Sequence, residues 1–453
     1  MKARTAKTPI SNLSSQLATL IRSFPLGVGF NDWHAIPEVR QAYELMAKEK
    51  VIELPDIAKP KCSGRGIVIP GGGIKYFPSM WVGINRIRQL GCVLPIEVWY
   101  LGEVELDATM MRLLQPLNVT FRDAHEYRKR HPMRILNGWE LKPYAITHSD
   151  FQEVMFIDAD CTPVRNPTFL FEAEPYRRTG TVFWPDYPHW MLQPDVYDIF
   201  GAPKPRCTKI PGDDYQVFGL AIDQSVGWDV PVESGQMLID KSRCWEQLQL
   251  ALHFCEHSDF YFRFVHGDKE AFHLAWRRLG KDYGMPQRWP HWDLHTALQY
   301  DFKGEVLFAH RNNDKWKLAG NSMGTGRIPF EREMFDLVKE LSKLWNGVVW
   351  ENTKPTEAEQ EVMDQLSNKT FFYHRINRDA RLIELLPNGQ IGKGRADHET
   401  TWSVFIVDGK KRLSLSSKTS PTCFLYPGKS GRWSGNWLIN ERMPVEMIPA
   451  EVQ

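Results

Sequence analysis

Between Gly64 and Tyr187, short apolar runs alternate with helix-forming stretches, and this alternation narrows the fold more than any other feature of the chain. "RGIVIP" reads as a strand centred on Ile67 to Ile69 that meets three glycines, and a helix is expected from near Pro78. "PIEVWYLG" and "LNVTFRD" supply a second and third strand, "NGWELKPYAITHS" a helix, "EVMFIDAD" a fourth strand and "GTVFWPDY" a fifth. Strands separated by helices pair in parallel, because the chain must cross over before it can return to the same edge. The expectation is an α/β domain with a Rossmann-like, mostly parallel sheet. Ligands bind such sheets at the carboxyl ends of the strands, and both "PGGG" and "DAD" fall at such ends.

The pattern continues as strand then long helix in "VESGQMLIDKSRCWEQLQLALHFCEHSDFYF", as helix in "HGDKEAFHLAW", and as a strand entering a polar turn in "GEVLFAHRNNDKW". From about Phe371 the period changes to two. Asn388-Gly389 and Asp408-Gly409 mark hairpin turns there. Four segments are therefore expected: a helical arm over 1–60, the α/β domain over 61–345, a linker over 346–368, and a small antiparallel β module over 369–453.

Lys and Arg number 56 against 55 Asp and Glu, a net charge of +1. No basic excess is present to neutralise phosphates, so nucleic acid is not an expected partner. The seven cysteines (Cys62, Cys92, Cys161, Cys207, Cys244, Cys255 and Cys423) are odd in number and never spaced as CxxC, which suits reduced thiols. No apolar run reaches the ~18 residues of a membrane helix, so no transmembrane segment is expected. The N-terminus is basic, with Asp32 its first acid, and Arg22 interrupts its apolar part. That is not a signal-peptide pattern. A cytoplasmic protein is expected, with an organellar transit peptide as the alternative.

The chemistry concentrates at "VMFIDADCTPVRNP". Asp158 and Asp160 flank Ala159 at the end of a buried strand, where a pleated backbone starts them on one face. Two such carboxylates repel each other and lose solvation, so a cation is expected beside them. Mg²⁺ and Mn²⁺ take one or two carboxylates and leave positions for phosphate oxygens. The plain alternative is a pair of solvated loop acids.

Read together, "GRGIVIPGGGIKYFPSMWVGINRIRQLGCVLPIEVWY", "NGWELKPYAI…FQEVMFIDADCTPVRNPTFLF", "YRRTGTVFWPDY", "VESGQMLID", "HGDKEAFHLAW" and "FAHRNNDKW" resemble the fungal α-1,3-mannosyltransferases and their α-1,2 relatives. These are nucleotide-sugar-dependent glycosyltransferases of the GT-A fold, and the same blocks are more distantly similar to glycogenin-type enzymes. The resemblance implies a metal-dependent hexosyltransferase with Mn²⁺ or Mg²⁺, GDP-mannose as donor, a glycan acceptor and retention of configuration. A UDP-sugar would use the same crevice. It assigns Asp158, Asp160 and His310 to the metal, with Asp158 also near the ribose. Lys142 and Lys315 fall to the donor, and Pro70, Gly72 and Tyr76 to the loop that holds the nucleotide. Ordinary readings stand beside these: surface lysines, a satisfied core histidine and a packed tyrosine.

Breaking the C1–O bond to a nucleoside diphosphate puts positive charge on the sugar and negative charge on the leaving group. A polar group is then needed near the anomeric carbon. Glu233, Gln236 and Asp268 are the candidates, and Asp186 is a further partner for a sugar hydroxyl. Glu233 and Asp268 are alternatively helix or turn caps. Two rival functions remain. "FIDADCT" also fits a haloacid-dehalogenase-type phosphatase, although that motif opens its domain and "GDD" at 212–214 follows too soon. A silent glycan-binding protein would use Trp402, Trp433 and Trp437 of the β module for stacking, unless they form its core.

Overall fold

The computed structural model describes residues 61–450, apart from 191, 207–218, 223–228, 350–354, 377–378, 408, 419–420 and 439. The expected helical arm over 1–60, Cys207 and the "GDD" at 212–214 lie outside the described residues. Two compact units emerge. One holds the described residues up to Tyr100 together with Leu113–Ser342; the other holds Leu101–Arg112 and the described residues from Lys343 onward.

The first unit is built on a six-stranded sheet: β1 (Arg65–Pro70), β2 (Ile96–Tyr100), β3 (Val119–Asp123), β4 (Glu153–Ile157), β6 (Thr181–Pro185) and β7 (Val232–Asp240), with β5 (Cys161–Pro163) set apart. The order is β3-β2-β1-β4-β7-β6. β3, β2, β1 and β4 run parallel, as the helical connections require. β7 runs antiparallel between β4 and β6. The expected α/β class is observed, with "VESGQMLID" as the reversed strand and "GTVFWPDY" at the edge beyond it. β1 and β4 are apolar on both faces, which is the mark of strands covered by helices on two sides.

The helix expected near Pro78 begins earlier, at Gly73, and runs to Gln89. Proline lacks the N–H that would bond back to Ile74, so Pro78 misreads as a start when it lies one turn inside the helix. Gly71 takes φ +139, and an added Cβ there would lie 3.0 Å from the Ala159 side chain. Glycine at 71 thus lets the turn after β1 close onto the Asp158–Asp160 turn.

A second, antiparallel sheet in the order β5-β10-β9-β8 is formed by β8 (His291–Asp293), β9 (Thr296–Tyr300), β10 (Val306–His310) and β5. β10 pairs with β5 in a register that sets His310 opposite Cys161. That pairing carries a histidine 150 residues down the chain to the carboxylate of Asp160.

In the second unit, seven antiparallel strands follow the order β12-β11-β17-β16-β15-β14-β13: β11 (Lys369–Arg375), β12 (Asp379–Leu385), β13 (Thr401–Val407), β14 (Lys410–Ser416), β15 (Pro421–Pro427), β16 (Trp433–Trp437) and β17 (Asn440–Pro449). Bridges Leu385–Ile391 and Gln390–Thr401 link the two outer strands through the turn at Asn388-Gly389. Val407 faces Lys410 across the expected Gly409 turn, where φ is +72. Within the expected linker, Glu357–Leu366 is a helix with a Thr356–Glu359 capping box. Its Val362, Met363 and Leu366 share one face and join the core of the β unit, so this stretch packs. Trp402, Trp433 and Trp437 belong to that same core. The stacking role considered for them does not hold, since their faces are spent on packing.

Candidate functional site

Strand β4 ends at Ile157, and the chain turns at once: the Cys161 N–H donates to the Asp158 carbonyl at 3.0 Å. Across this turn β7 anchors the backbone, with the Asp158 N–H donating to the Gly235 carbonyl at 2.8 Å. The two carboxylates leave the turn together, and Asp158, Asp160 and His310 offer ligand atoms that all lie within 4.8 Å of one another. A second group of this kind among the described residues, His253, Glu256 and His257, sits at the C-terminal end of the helix Trp245–Glu256.

Each carboxylate has its own cation. Lys142, in the second position of the helix Leu141–His148, brings its Nζ to 2.8 Å from Asp158 Oδ2 and 3.2 Å from Asp268 Oδ2. Asp160 lies 3.2 Å from His310 Nε2 and 2.6 Å from Lys315 Nζ. Burial disfavours the ionised Asp160, yet His310 and Lys315 outweigh it and hold the carboxyl well below the usual range. Burial likewise opposes a charged His310, but Asp160 and then Glu233 raise it to about 9. Asp158 shifts the other way: burial raises it, Lys142 opposes, and Asp160 raises it further. Lys142 is held above its ordinary value by Asp158 and Asp268, against its own burial.

The remaining candidates separate into those that face this cluster and those that do not. Asp268 joins it directly, because Ser234 Oγ donates to Asp268 Oδ2 at 2.6 Å while accepting from Lys142 Nζ at 3.1 Å. Glu233 stands 3.7 Å from His310 Nδ1 and accepts from the Gly235 N–H at 2.8 Å. Burial and then Asp186 push its carboxyl up to about 7. Tyr76 reaches the cluster through Lys315, whose Nζ lies 5.3 Å from the ring centroid. Pro70 ends β1, and Gly72, extended at φ 173, caps the helix Gly73–Gln89 beside it. Gln236 has no exposed surface: its Oε1 accepts from Cys161 Sγ at 3.2 Å, and its Nε2 is buried without a hydrogen-bond partner. Asp186 is bound to Lys269 at 2.8 Å.

Three further residues complete the site. Ser234 ties Lys142 to Asp268, and only its position in "VESGQ" could have flagged it. Gly235 is the second: an added Cβ there would lie 2.5 Å from His310 Nδ1, so only glycine leaves room for the imidazole. Lys269, next to Asp268 in "HGDK", is the third, and its pairing with Asp186 links two sequence blocks. Two carboxylates and an imidazole of this spacing fit a hard divalent cation with oxygen and nitrogen ligands. His310 Nδ1 is buried without a hydrogen-bond partner, while Nε2 is held at Asp160.

A family profile described as "Mannosyltransferase putative" matches residues 64–293, just over half of the chain. The chain belongs to this mannosyltransferase family. Among curated relatives, α-1,2-mannosyltransferase MNN24 of Candida albicans is 30% identical over 239 residues, which are 49% of this chain and 34% of that protein. α-1,2-Mannosyltransferase MNN2 of Saccharomyces cerevisiae is 27% identical over 259 residues, 50% of this chain and 42% of that protein. The chain thus spans less than half the length of these relatives. Both are named α-1,2 enzymes, and the α-1,3 part of the expected resemblance has no counterpart in them. Among solved structures, the glycosyltransferase GlyE of Streptococcus pneumoniae matches with TM-score 0.36 and 14% identity, over 63% of this chain and 62% of that one. The galactosyltransferase LgtC matches with TM-score 0.32 and 13% identity, over 49% and 73%.

Proposed function

We propose that this chain is a metal-dependent mannosyltransferase that moves mannose from GDP-mannose to a hydroxyl of a glycan, forming an α-1,2 linkage with retention of configuration. The observation that carries the reading is the convergence of Asp158, Asp160 and His310 in a chain of the mannosyltransferase family. Asp158, Asp160 and His310 would hold Mn²⁺ or Mg²⁺, which supplies Lewis-acid stabilisation of the diphosphate leaving group. The linkage is that of the named relatives. The donor, the metal and retention come from the resemblance, as does the GT-A assignment, and the acid-rich site supports the metal.

The chain's own side chains have separable tasks. Lys315, held at Asp160 and against Tyr76, brings positive charge to the leaving diphosphate. Lys142 holds the carboxylates of Asp158 and Asp268 side by side, and Asp268 faces the sugar that develops positive charge at C1. No side-chain base is required when the leaving phosphate takes the acceptor proton. Glu233, confined by Gly235 and His310, orients the imidazole. A phosphatase would instead need Asp158 free to attack phosphorus, and here Lys142 and Asp268 enclose it. The test is incubation of the chain with GDP-mannose, Mn²⁺ and mannotriose, followed by NMR of the new anomeric proton. An α-linked mannose supports the reading. A β-linked product would overturn retention, and phosphate release through a trapped aspartyl-phosphate on Asp158 would overturn the class.

A further inference from the structure

Beside the charged cluster stands a row of aromatic rings that the reading above leaves unused. Trp139 is 45% exposed and stands in contact with other rings beside the polar site. It lies at the head of the helix that carries Lys142, whose N–H donates to the Trp139 carbonyl at 3.2 Å. Its indole rests against Gly267, where an added Cβ would sit 3.0 Å from the ring. The next residue is Asp268. The ring centroid of exposed His266 is 5.7 Å from that of Trp139 and 4.7 Å from that of Trp190. Lys269 Nζ lies 5.0 Å from the Trp190 centroid and also holds Asp186.

We propose that Trp139, with His266 and Trp190 continuing the row, is the stacking platform for the acceptor hexose. The proposal rests on the glycosyltransferase reading and adds a subsite to it. A pyranose has a C–H face that packs on a flat aromatic ring and a rim of hydroxyls that needs acceptors. The platform offers the ring, and Asp268 and Asp186 stand at its border as the acceptors. The order of contacts separates this subsite from the diphosphate. Lys315 holds Asp160 at one end, Lys142 joins Asp158 to Asp268 in the middle, and Gly267 passes on to Trp139 at the other end. A sugar on Trp139 therefore follows Asp268 in that order and adjoins the donor sugar rather than the nucleotide, and its reacting hydroxyl reaches C1 from the leaving-group face. Gly267 is part of the construction, since a side chain there would push the indole off its seat.

The experiment measures two affinities in wild type, Trp139→Ala and Trp139→Phe: GDP with Mn²⁺ by calorimetry, and mannotriose in the presence of GDP and Mn²⁺ by saturation-transfer NMR. Trp139→Ala is expected to weaken mannotriose at least about tenfold, the loss of one stacked ring. Trp139→Phe should recover most of that loss, and GDP affinity should stay within about twofold in both variants. Unchanged mannotriose affinity in Trp139→Ala overturns the platform, as does a wild type that binds GDP but not mannotriose. A parallel loss of GDP affinity also overturns it, because the ring would then serve the nucleotide or the local fold. A wild type that binds no GDP with Mn²⁺ sinks the glycosyltransferase reading itself, which keeps the two failures apart.

Discussion

Each of the two units buries carboxylates, and they settle them differently. In the β unit Glu399 is 1% exposed and fully engaged: Oε1 accepts from Tyr373 Oη at 3.0 Å and Oε2 from Arg381 Nη2 at 2.7 Å. Arg381 Nε is in turn held by the Gly394 carbonyl at 2.9 Å. In the α/β unit the five acids Asp158, Asp160, Asp186, Glu233 and Asp268 share the four cations Lys142, Lys269, Lys315 and His310. The shortfall shows at Glu233, which burial and Asp186 push up to about 7. One acid matched atom for atom with its partners is a structural brace. A cluster in which acids outnumber cations is a place prepared for another positive charge.

The contrast is broken most forcefully by removing an acid from each side. Glu399→Ala leaves Arg381 and Tyr373 without their acceptor and should cost about 3 kcal/mol, read as a lower urea midpoint. Asp158→Asn should leave the midpoint unchanged or raise it slightly, since burial and Asp160 disfavour the ionised Asp158 in the folded chain. Equal losses in the two variants would erase the distinction. The next effect is on function alone. Gly235→Ala forces the His310 ring from its place, so transfer should fall about 100-fold or more, equivalent to about 2.7 kcal/mol, with the far-ultraviolet spectrum unchanged. Normal activity in that variant would mean the imbalance at His310 has no role.

Smaller effects sharpen the comparison in each fold. His148, stacked on His131 and tilted against Tyr144, is lowered to about 3 by burial first and then by the nearby His131 and Lys241. The unfolded chain takes up a proton at this histidine below about pH 6.5 and the folded chain does not. The stability it contributes is therefore complete above that pH and declines as pH falls toward 3. From pH 7.5 to 5.5 the loss should be about 1 kcal/mol, and His148→Gln should flatten the urea-midpoint profile over that interval. In the β unit, Gly409→Ala at φ +72 should cost about 1 kcal/mol, because a Cβ disfavours that turn. A midpoint that does not move would mean the hairpin tolerates another turn.

Period and punctuation made much of this architecture legible in advance. Alternating strands and helices gave the parallel part of the sheet, and Gly409 gave a hairpin in the predicted place. What escaped was set by long-range pairing. That "GTVFWPDY" would stand at an edge, separated from β4 by the reversed strand β7, depends on β7 inserting between them, and no local pattern announces this. Pro78 misled because a proline one turn into a helix looks like its first residue. At the site, the acids and His310 stood out by residue type. Ser234 and Gly235 did not, since one acts by bridging and the other by lacking a side chain. Gln236 stood out as a polar residue on the same strand, and its Oε1 is taken by Cys161 Sγ, a pairing no local pattern announces.

The central claim is that the acid excess around Asp158, Asp160 and His310 takes a divalent cation together with a nucleoside diphosphate. Calorimetry of GDP binding tests it directly, in wild type with Mn²⁺, in wild type with EDTA, and in Asp160→Ala with Mn²⁺. The account predicts binding in the first case and a loss of about 100-fold or more in the other two. GDP affinity that is the same in all three would contradict it.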